Sequence, residues 1–346
     1  AAAAARAFAA QRVRHERLFQ RLGELFRERG ASEATPGEAL SLLRSHALLR
    51  LGEQLHDGLW ESLEAQALSP GLQELGPGPI SELCHALLVA GRADARLQDM
   101  QRMLEAIAAP VLSAEDGFLA PGGSCGPVLH RRLLLLRMAL RYLHGDFYRA
   151  LPEQVARALR RVHRTELARE PWPMPHFLRK VSAILTKMKI GHLPQVERGP
   201  FTIDIVERDR KLVYECNHFD RFYAGTTEKI ATMCLQERIV KAMGYRVVQI
   251  PHWQWNRIMH RKQRVEYLKM SRYYAIKDRR ELEPRDAEPA DVATNQLDYL
   301  GEYFFRKEMP SSHWSWHQPR VDPAYRLPPG VPRSDRTGGR PLWSAP

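Results

Sequence analysis

The segment REPWPMPH, residues 169–176, places three prolines within five positions. Each proline fixes its own φ, removes a backbone donor and disfavours helix for the residue before it, so no helix runs through this stretch. The hydrophobic period differs on its two sides. From residue 12 to about 165, leucines recur three and four apart with Gly, Pro and Ser between the runs, which is the spacing of amphipathic helices. It predicts helices over 12–29, 36–51, 53–67, 79–90, 93–108, 127–143 and 152–167, and no strand among them. Past the prolines, one more helical run over 177–189 gives way to a period of two. The expected fold class is α+β: an all-α, repeat-like region over 1–168, a small α/β domain with a trailing basic helix over 176–282, and an extended Pro/Trp/Arg-rich tail over 283–346.

Within the helical half, SHALLRLG at 45–52 and CHALLVAG at 84–91 match in outline thirty-nine residues apart, and each precedes a second amphipathic helix. MALRYLHGDF at 138–147 matches more loosely. A helix-pair unit of this size fits an α-solenoid stabilised by stacked neighbours. An irregular bundle with a chance Ala-Leu-Leu match fits the same residues.

Fifty-two Lys and Arg against forty Asp and Glu give a formal charge of +12. That balance draws a polyanion, with nucleic acid first and a membrane surface second. No run of about 18 apolar residues exists to span a bilayer. The four cysteines, Cys84, Cys125, Cys216 and Cys234, form no C-x-x-C pair and no metal-ligand spacing, which supports neither a disulfide framework nor a zinc site and suits a reducing compartment. The opening AAAAARAFAAQRVRHERLFQRL holds no acid before Glu16, a composition of organelle-directed leaders and equally of a plain Ala-rich helix. Beyond Glu281 the composition is too polar and Pro-rich to fold alone, yet it carries Trp314, Trp316 and Trp343. A tail laid out on a partner accounts for both facts, and disorder is the alternative.

In FTIDIVERDRKLVYECNHF, residues 201–219, two alternating segments flank Arg208 and Asp209, which read as a tight turn. That turn sets Asp204 across from Val213. Phe201, Ile203, Ile205, Leu212, Tyr214 and Cys216 then share one face, and Thr202, Asp204, Val206, Lys211, Val213, Glu215 and Asn217 the other. Asp204 and Glu215 become diagonal neighbours on a mostly apolar face. A carboxylate, a strand turn and Glu-x-Lys is how restriction-endonuclease-like enzymes hold Mg²⁺, the lysine polarising the attacking water. Here the lysine position holds Asn217, so Asp204, Glu215 and Asn217 read as a vestigial site with no catalytic residue and no resident metal. Lys211 lies on the wrong side of Glu215, and Lys229 is placed to reach in only from the next helix.

Thr226 or Thr227 is expected to cap that helix, which runs through Met243 and buries Ile230, Cys234, Leu235, Ile239 and Ala242. Gly244 ends it. YRVVQI is then a strand stopped by Pro251, paired in parallel with the preceding one through the crossover helix. After Pro251, alternation sends Trp253 and Trp255 to opposite sides, one inward and one outward, and His252 reads equally as a structural histidine. The following stretch, 257–280, carries nine Lys or Arg against Glu266 and Asp278. Aromatic faces that stack unpaired bases, beside guanidinium groups that track phosphates, make a sequence-tolerant RNA surface. The candidate RNA-binding residues are Arg238, Lys241, Arg246, His252, Trp253, Trp255, Arg257, Arg261, Lys262 and Arg264.

These residues resemble the RAP domain, an RNA-binding domain abundant in apicomplexans and found at the end of the FAST-kinase-domain proteins of mitochondria. The likeness runs over 176–258 and rests on FTIDIV, on KLVYECNHF, and on LQERIVKAMGYRVVQIPHWQWNRI with its Leu-x-x-Arg helix, Gly-Tyr-x-Val-Val strand and Pro-x-x-x-Trp ending. Cys216 and Asn217 stand where the family usually carries Asp-Gly, and Gln254 where it often carries Glu. The resemblance implies a restriction-endonuclease-like α/β fold and an organellar, mitochondrial matrix protein acting on RNA. The reading is a non-catalytic RNA-binding component of a ribonucleoprotein such as the mitochondrial ribosome. Its partners would be rRNA and, through the helical repeats and the tail, other proteins of the assembly, with no cofactor. A metal-dependent endoribonuclease using Asp204 and Glu215 with Mg²⁺ is one alternative, and a protein-only adaptor subunit is another. No Gly-rich loop, His-Arg-Asp or Asp-Phe-Gly supports a kinase.

Overall fold

The structure is a computed structural model describing residues 2–28, 35–51, 58–68, 71–72, 74–113, 126–164 and 173–281. The tail expected over 283–346, with its three tryptophans, lies outside the described residues, as do Cys125 and the first half of the proline-rich segment.

A helix precedes the first expected one, which itself starts four residues late. Arg12, at φ 57, ends the turn after α1 (Ala2–Ala10), and α2 (Glu16–Glu28) starts where the His15 ring accepts the Leu18 N–H at 3.1 Å. Thr35 then caps α3 (Pro36–Leu49) in a reciprocal capping box with Glu38, and Pro36 occupies the first turn, where its missing donor costs nothing. The helical half continues with α4 (Leu59–Ala67), α5 (Pro77–Val89), α6 (Leu97–Ser113), α7 (Pro127–Leu143), the short α8 (Gly145–Ala150) and α9 (Glu153–Arg164). α6 runs five residues past its expected end, through Pro110. The Arg161 guanidinium of α9 donates to the Val111 and Leu112 carbonyls at 2.9 and 3.2 Å, satisfying acceptors that the last turn leaves open.

α3 packs on α4 and α5, α5 on α6 and α7, and α6 on α9. The first helices of successive pairs thus lie side by side, as stacked pairs require. Glu82 of α5 braces this row, receiving Arg44 of α3 at 3.0 Å and Arg132 of α7 at 2.9 Å. Leu49 and Leu87, one from each copy of the repeated motif, are wholly buried beneath it. Each side chain of that size contributes about 1.5–3 kcal/mol.

After α10 (His176–Lys187) comes a four-stranded sheet in the order β1-β2-β3-β4: β1 (His192–Arg198), β2 (Phe201–Glu207), β3 (Leu212–Asn217) and β4 (Arg246–Pro251). The first two pairings are antiparallel and β3–β4 is parallel, as the crossover helix α11 (Ala231–Ala242) dictates. α12 (His252–Arg257) and α13 (Arg261–Glu281) follow.

Three expectations change. β1 was not anticipated; it is an edge strand interrupted by Pro194 and by Gln195 at φ 50, and its residues do not alternate. The hairpin pairs Ile205 with Tyr214 and Val206 with Val213, two residues off the expected register, because the connection is longer than Arg208 and Asp209 alone. Carried one residue further, that register sets Asp204 directly across from Glu215 rather than diagonal to it. The inner face also changes at Asp204: Ile205, Leu212, Tyr214 and Cys216 pack with α10 and α13, whereas Ile203 joins Val213 and Val240 on the α11 side. Opposite this point the β1 backbone takes its positive φ at Gln195, and the two irregularities reorient the strand pair together.

α11 belongs to two cores. Val240 faces the sheet, while Ala231, Leu235 and Ile239 pack into the same cluster as Leu43, Leu87 and Leu140 of α3, α5 and α7. The β1–β2 turn is pressed on the helical half as well. Gly199, at φ 57, would place any Cβ 2.2 Å from Met138 Sδ of α7, so a side chain there would be strained and would have to displace the Met138 thioether.

Candidate nucleic-acid interface

β3 and β4 pair from Leu212–Arg246 to Asn217–Pro251, so their carboxyl ends lie side by side. In open α/β sheets that edge is where ligands dock. From it the chain leaves twice: through a 3₁₀ turn at Phe219–Arg221, and directly into α12. Pro251 explains the second exit. It cannot donate to a ladder, but its φ of −67° and ψ of 136° suit the residue before a helix.

The two exits bring together an aromatic group that alternation alone did not reveal. Phe222 meets the Trp253 ring edge-on at 4.5 Å between centroids, Trp253 meets His252 at 5.1 Å, and His252 lies 5.8 Å from His218, which sits 4.1 Å from Phe219. Phe222 is buried; Trp253, His252 and Phe219 are half-buried, and His218 is exposed. The result is a packed aromatic base with part of its faces toward solvent. Burial lowers the His252 pKa, with the neighbouring His218 adding to the effect. A neutral imidazole suits a stacking surface. His218, Phe219 and Phe222 were missed as site residues, although the His-Phe pair closing KLVYECNHF was their signal.

Trp255 is corrected. It is 1% exposed, tilted against Phe177 of α10 at 5.9 Å and against Tyr267 of α13 at 6.4 Å, inside the sheet's core. No base can stack on it. Arg264 is drawn to the same place, its guanidinium 5.2 Å from the Trp255 ring and its Nε donating to the Ile258 carbonyl at 2.9 Å. Arg246 is similarly engaged, donating to the Ile276 carbonyl at 2.9 Å and tying α13 to β4. These two arginines fasten helices. Arg261 and Lys262 stand exposed in the first turn of α13, with Met259 and His260 exposed just ahead of them, and Arg257 is half-buried in α12. Lys241 is exposed but paired with Glu237 at 2.7 Å. Arg238 is also exposed, on α11, and borders a cleft against the helical half rather than the aromatic group.

The carboxylates of the hairpin are each held by a cation. Asp204 receives Arg221 at 2.6 Å and the Cys216 backbone N–H at 2.8 Å. Glu215 receives Lys229 Nζ at 3.1 Å, and the same ammonium donates to Glu237 at 2.7 Å and Gln249 at 2.6 Å. Lys229 reaches in from the segment ahead of α11 and not from the helix. That helix begins at Ala231 instead of near Thr226, because Lys229 is engaged in an antiparallel bridge with Phe222. The shorter helix buries Ala231, Leu235, Ile239 and Val240; Ile230 and Cys234 are half-buried and Ala242 is exposed. Asn217 is fully buried and donates to the Gln249 side-chain oxygen. Asp204 and Glu215 thus serve as internal counter-charges, and no group of three His, Cys, Asp or Glu suited to a metal occurs among the described residues.

Under α13 a fourth carboxylate completes the pattern. Burial alone would raise Glu207, but Arg272, donating twice at 2.9 and 2.6 Å, and the Tyr214 hydroxyl at 3.0 Å hold its carboxyl below the usual range. No helix among the described residues is long and apolar enough to cross a membrane.

No curated protein matches this chain. Residues 214–271, from the middle of β3 into α13, match the model of the RAP domain family, which suggests RNA binding. The sheet edge, its aromatic group and the first turns of the basic helix all fall within that match, and the chain carries a RAP domain.

Proposed function

We propose that this protein is a non-catalytic RNA-binding component of a mitochondrial ribonucleoprotein, binding and stabilising rRNA as part of an assembly such as the mitochondrial ribosome. The observation that carries the reading is the half-exposed aromatic group at the carboxyl ends of β3 and β4, a short way along the chain from the exposed cations Arg261 and Lys262. Stacking there supplies sequence-tolerant affinity, and the cations supply a salt-dependent electrostatic contribution. The non-catalytic reading is supported by Asn217 at the lysine position and by the ion pairs that engage Asp204 and Glu215. The mitochondrial setting rests on the acid-poor opening sequence and on the resemblance to RNA-binding proteins of that organelle.

Fractionating mitochondria on a sucrose gradient in moderate salt tests the placement: co-sedimentation with ribosomal particles is expected, and migration as a free protein overturns it. Incubating the purified protein with structured RNA and Mg²⁺ or Mn²⁺ tests the chemistry. Cleavage that Asp204→Ala abolishes would establish a nuclease instead. Ultraviolet crosslinking in intact organelles separates RNA binding from a protein-only adaptor, which would give no crosslinked RNA.

A further inference from the structure

Where α11 meets the ends of α3 and α5, a cleft of about 260 Å³ is lined by Arg50, Arg92 and Arg238 and by no acidic residue. Ala47, Val89 and Leu235 supply an apolar floor. Arg92 already pairs with Glu61 at 3.1 Å and lies over the Trp60 ring. Neither Arg50 nor Arg238 forms an ion pair among the described residues; the Arg50 guanidinium meets only a weak acceptor, Cys234 Sγ, at 3.8 Å. Two guanidinium groups facing one cleft without carboxylates contrast with Asp204, Glu215 and Glu207, each matched by a cation.

Two further observations point to a ligand. α3 ends in the hydrogen-bond pattern of a glycine-terminated helix, Leu51 N–H to His46 and Arg50 N–H to Ala47, yet the left-handed position, φ 54, holds Arg50. α5 fills the corresponding position with Gly91, at φ 71. Lys189 ends α10 in the same conformation, at φ 59, so the position itself is not diagnostic; what it does is aim the Arg50 side chain at the cleft, where glycine would leave none. His46, 1% exposed, also lines the cleft; its Nδ1 donates to the Leu42 carbonyl at 2.8 Å, which leaves Nε2 an acceptor with no partner among the described residues, suited to a hydroxyl of the ligand and not to a phosphate oxygen.

We propose that this cleft is a binding site for a phosphate monoester, carried by a nucleotide or by the 5′ end of an RNA. Guanidinium forks match phosphate oxygens bidentately. A terminal phosphate carries close to two negative charges and balances Arg50 and Arg238, whereas an internal phosphodiester carries one. The cleft is slightly smaller than the range of about 300–1,000 Å³ typical of whole drug-sized ligands, which suits a phosphate with its sugar over the apolar floor. The site is separate from the aromatic group and does not rest on it.

The test uses the full chain, with AMP, adenosine and citrate as small probes, and one oligoribonucleotide carrying either a 5′-phosphate or a 5′-hydroxyl. Expected results are calorimetric binding of AMP but not adenosine, and at least tenfold preference for the phosphorylated oligonucleotide. Binding of AMP without that preference identifies a free nucleotide as the ligand. Arg50→Gly, which suits the left-handed backbone and so keeps the fold, and Arg238→Gln should each lower AMP affinity at least fivefold. Both should leave the affinity of the 5′-hydroxyl RNA unchanged. Trp253→Ala should do the reverse, so failure of the RNA reading is distinguishable from failure of this one. Citrate bound as tightly as AMP, AMP affinity unaltered in both arginine variants, or no binding of AMP with no preference for the phosphorylated end overturns the proposal.

Discussion

Trp253 and Trp255 are two residues apart on one short helix, and their surroundings are opposites. Trp255 lies in the core beneath α13, among Phe177, Tyr267 and the Arg264 guanidinium. Trp253 stands at the edge of the sheet, supported by Phe222 and His252 with part of its ring toward solvent. The contrast shows that aromatic residues near a basic helix are not by themselves a binding surface. What decides is whether the ring's faces are consumed by the protein. Cations divide the same way: Arg221, Lys229, Arg246, Arg264 and Arg272 serve the interior, while Arg261 and Lys262 remain outside.

The sharpest test of that division is thermodynamic. Trp255→Ala should cost about 4 kcal/mol of stability by opening a core cavity, read as a lower urea midpoint; a loss below about 1 kcal/mol would break the assignment. Arg221→Ala should cost about 3 kcal/mol in the same assay, because it leaves the Asp204 carboxylate buried without its cation. Adding Asp204→Asn should recover part of the loss. Glu207→Gln should cost about 2 kcal/mol near neutral pH, where the ionised carboxyl accepts from Arg272 and Tyr214. Since the folded state holds this group below its ordinary value, its stabilisation is present above the unfolded value of about 4.3 and fades as pH falls through the folded value. The difference between variant and parent should therefore shrink in acid denaturation series.

At the sheet edge the signs reverse. Trp253→Ala should cost less than about 1 kcal/mol of stability while weakening single-stranded RNA binding roughly tenfold, the scale of a single base stacked on an aromatic ring. Fluorescence anisotropy beside a urea melt checks both halves. The smallest effect belongs to Arg261→Gln and Lys262→Gln. Each should flatten the dependence of log affinity on log salt by about 0.7 for every phosphate no longer neutralised, and leave stability within about 0.5 kcal/mol of the parent.

Much of this arrangement was legible in the residues. α7 occupies the expected span, because Pro127 opens it and its leucines keep one period throughout. The parallel β3–β4 pair followed from strand, helix, strand. Opposite orientations for Trp253 and Trp255 survive although α12 is a helix and not a strand, since positions two apart differ by about 200° around a helix and still fall on opposite sides. Which of the two faces inward depends on where α10 and α13 come to rest, and periodicity carries no such information. Asp204 and Glu215 stood out because carboxylates are rare on an apolar face. Their partners did not, since Arg221 and Lys229 sit in a turn and a bridge whose geometry exists only once Phe222 has docked. β1 escaped because an edge strand containing Pro194 leaves no alternating signature.

α11 contributes to both cores at once, joining the helical stack to the sheet through its two faces. The molecule therefore has no joint at that seam. The helical stack and the sheet edge at Trp253 are thus tied to one another through a single shared helix. For the same reason the RAP segment is not a detachable module: cut away, it would carry Ala231, Leu235 and Ile239 as an open greasy flank.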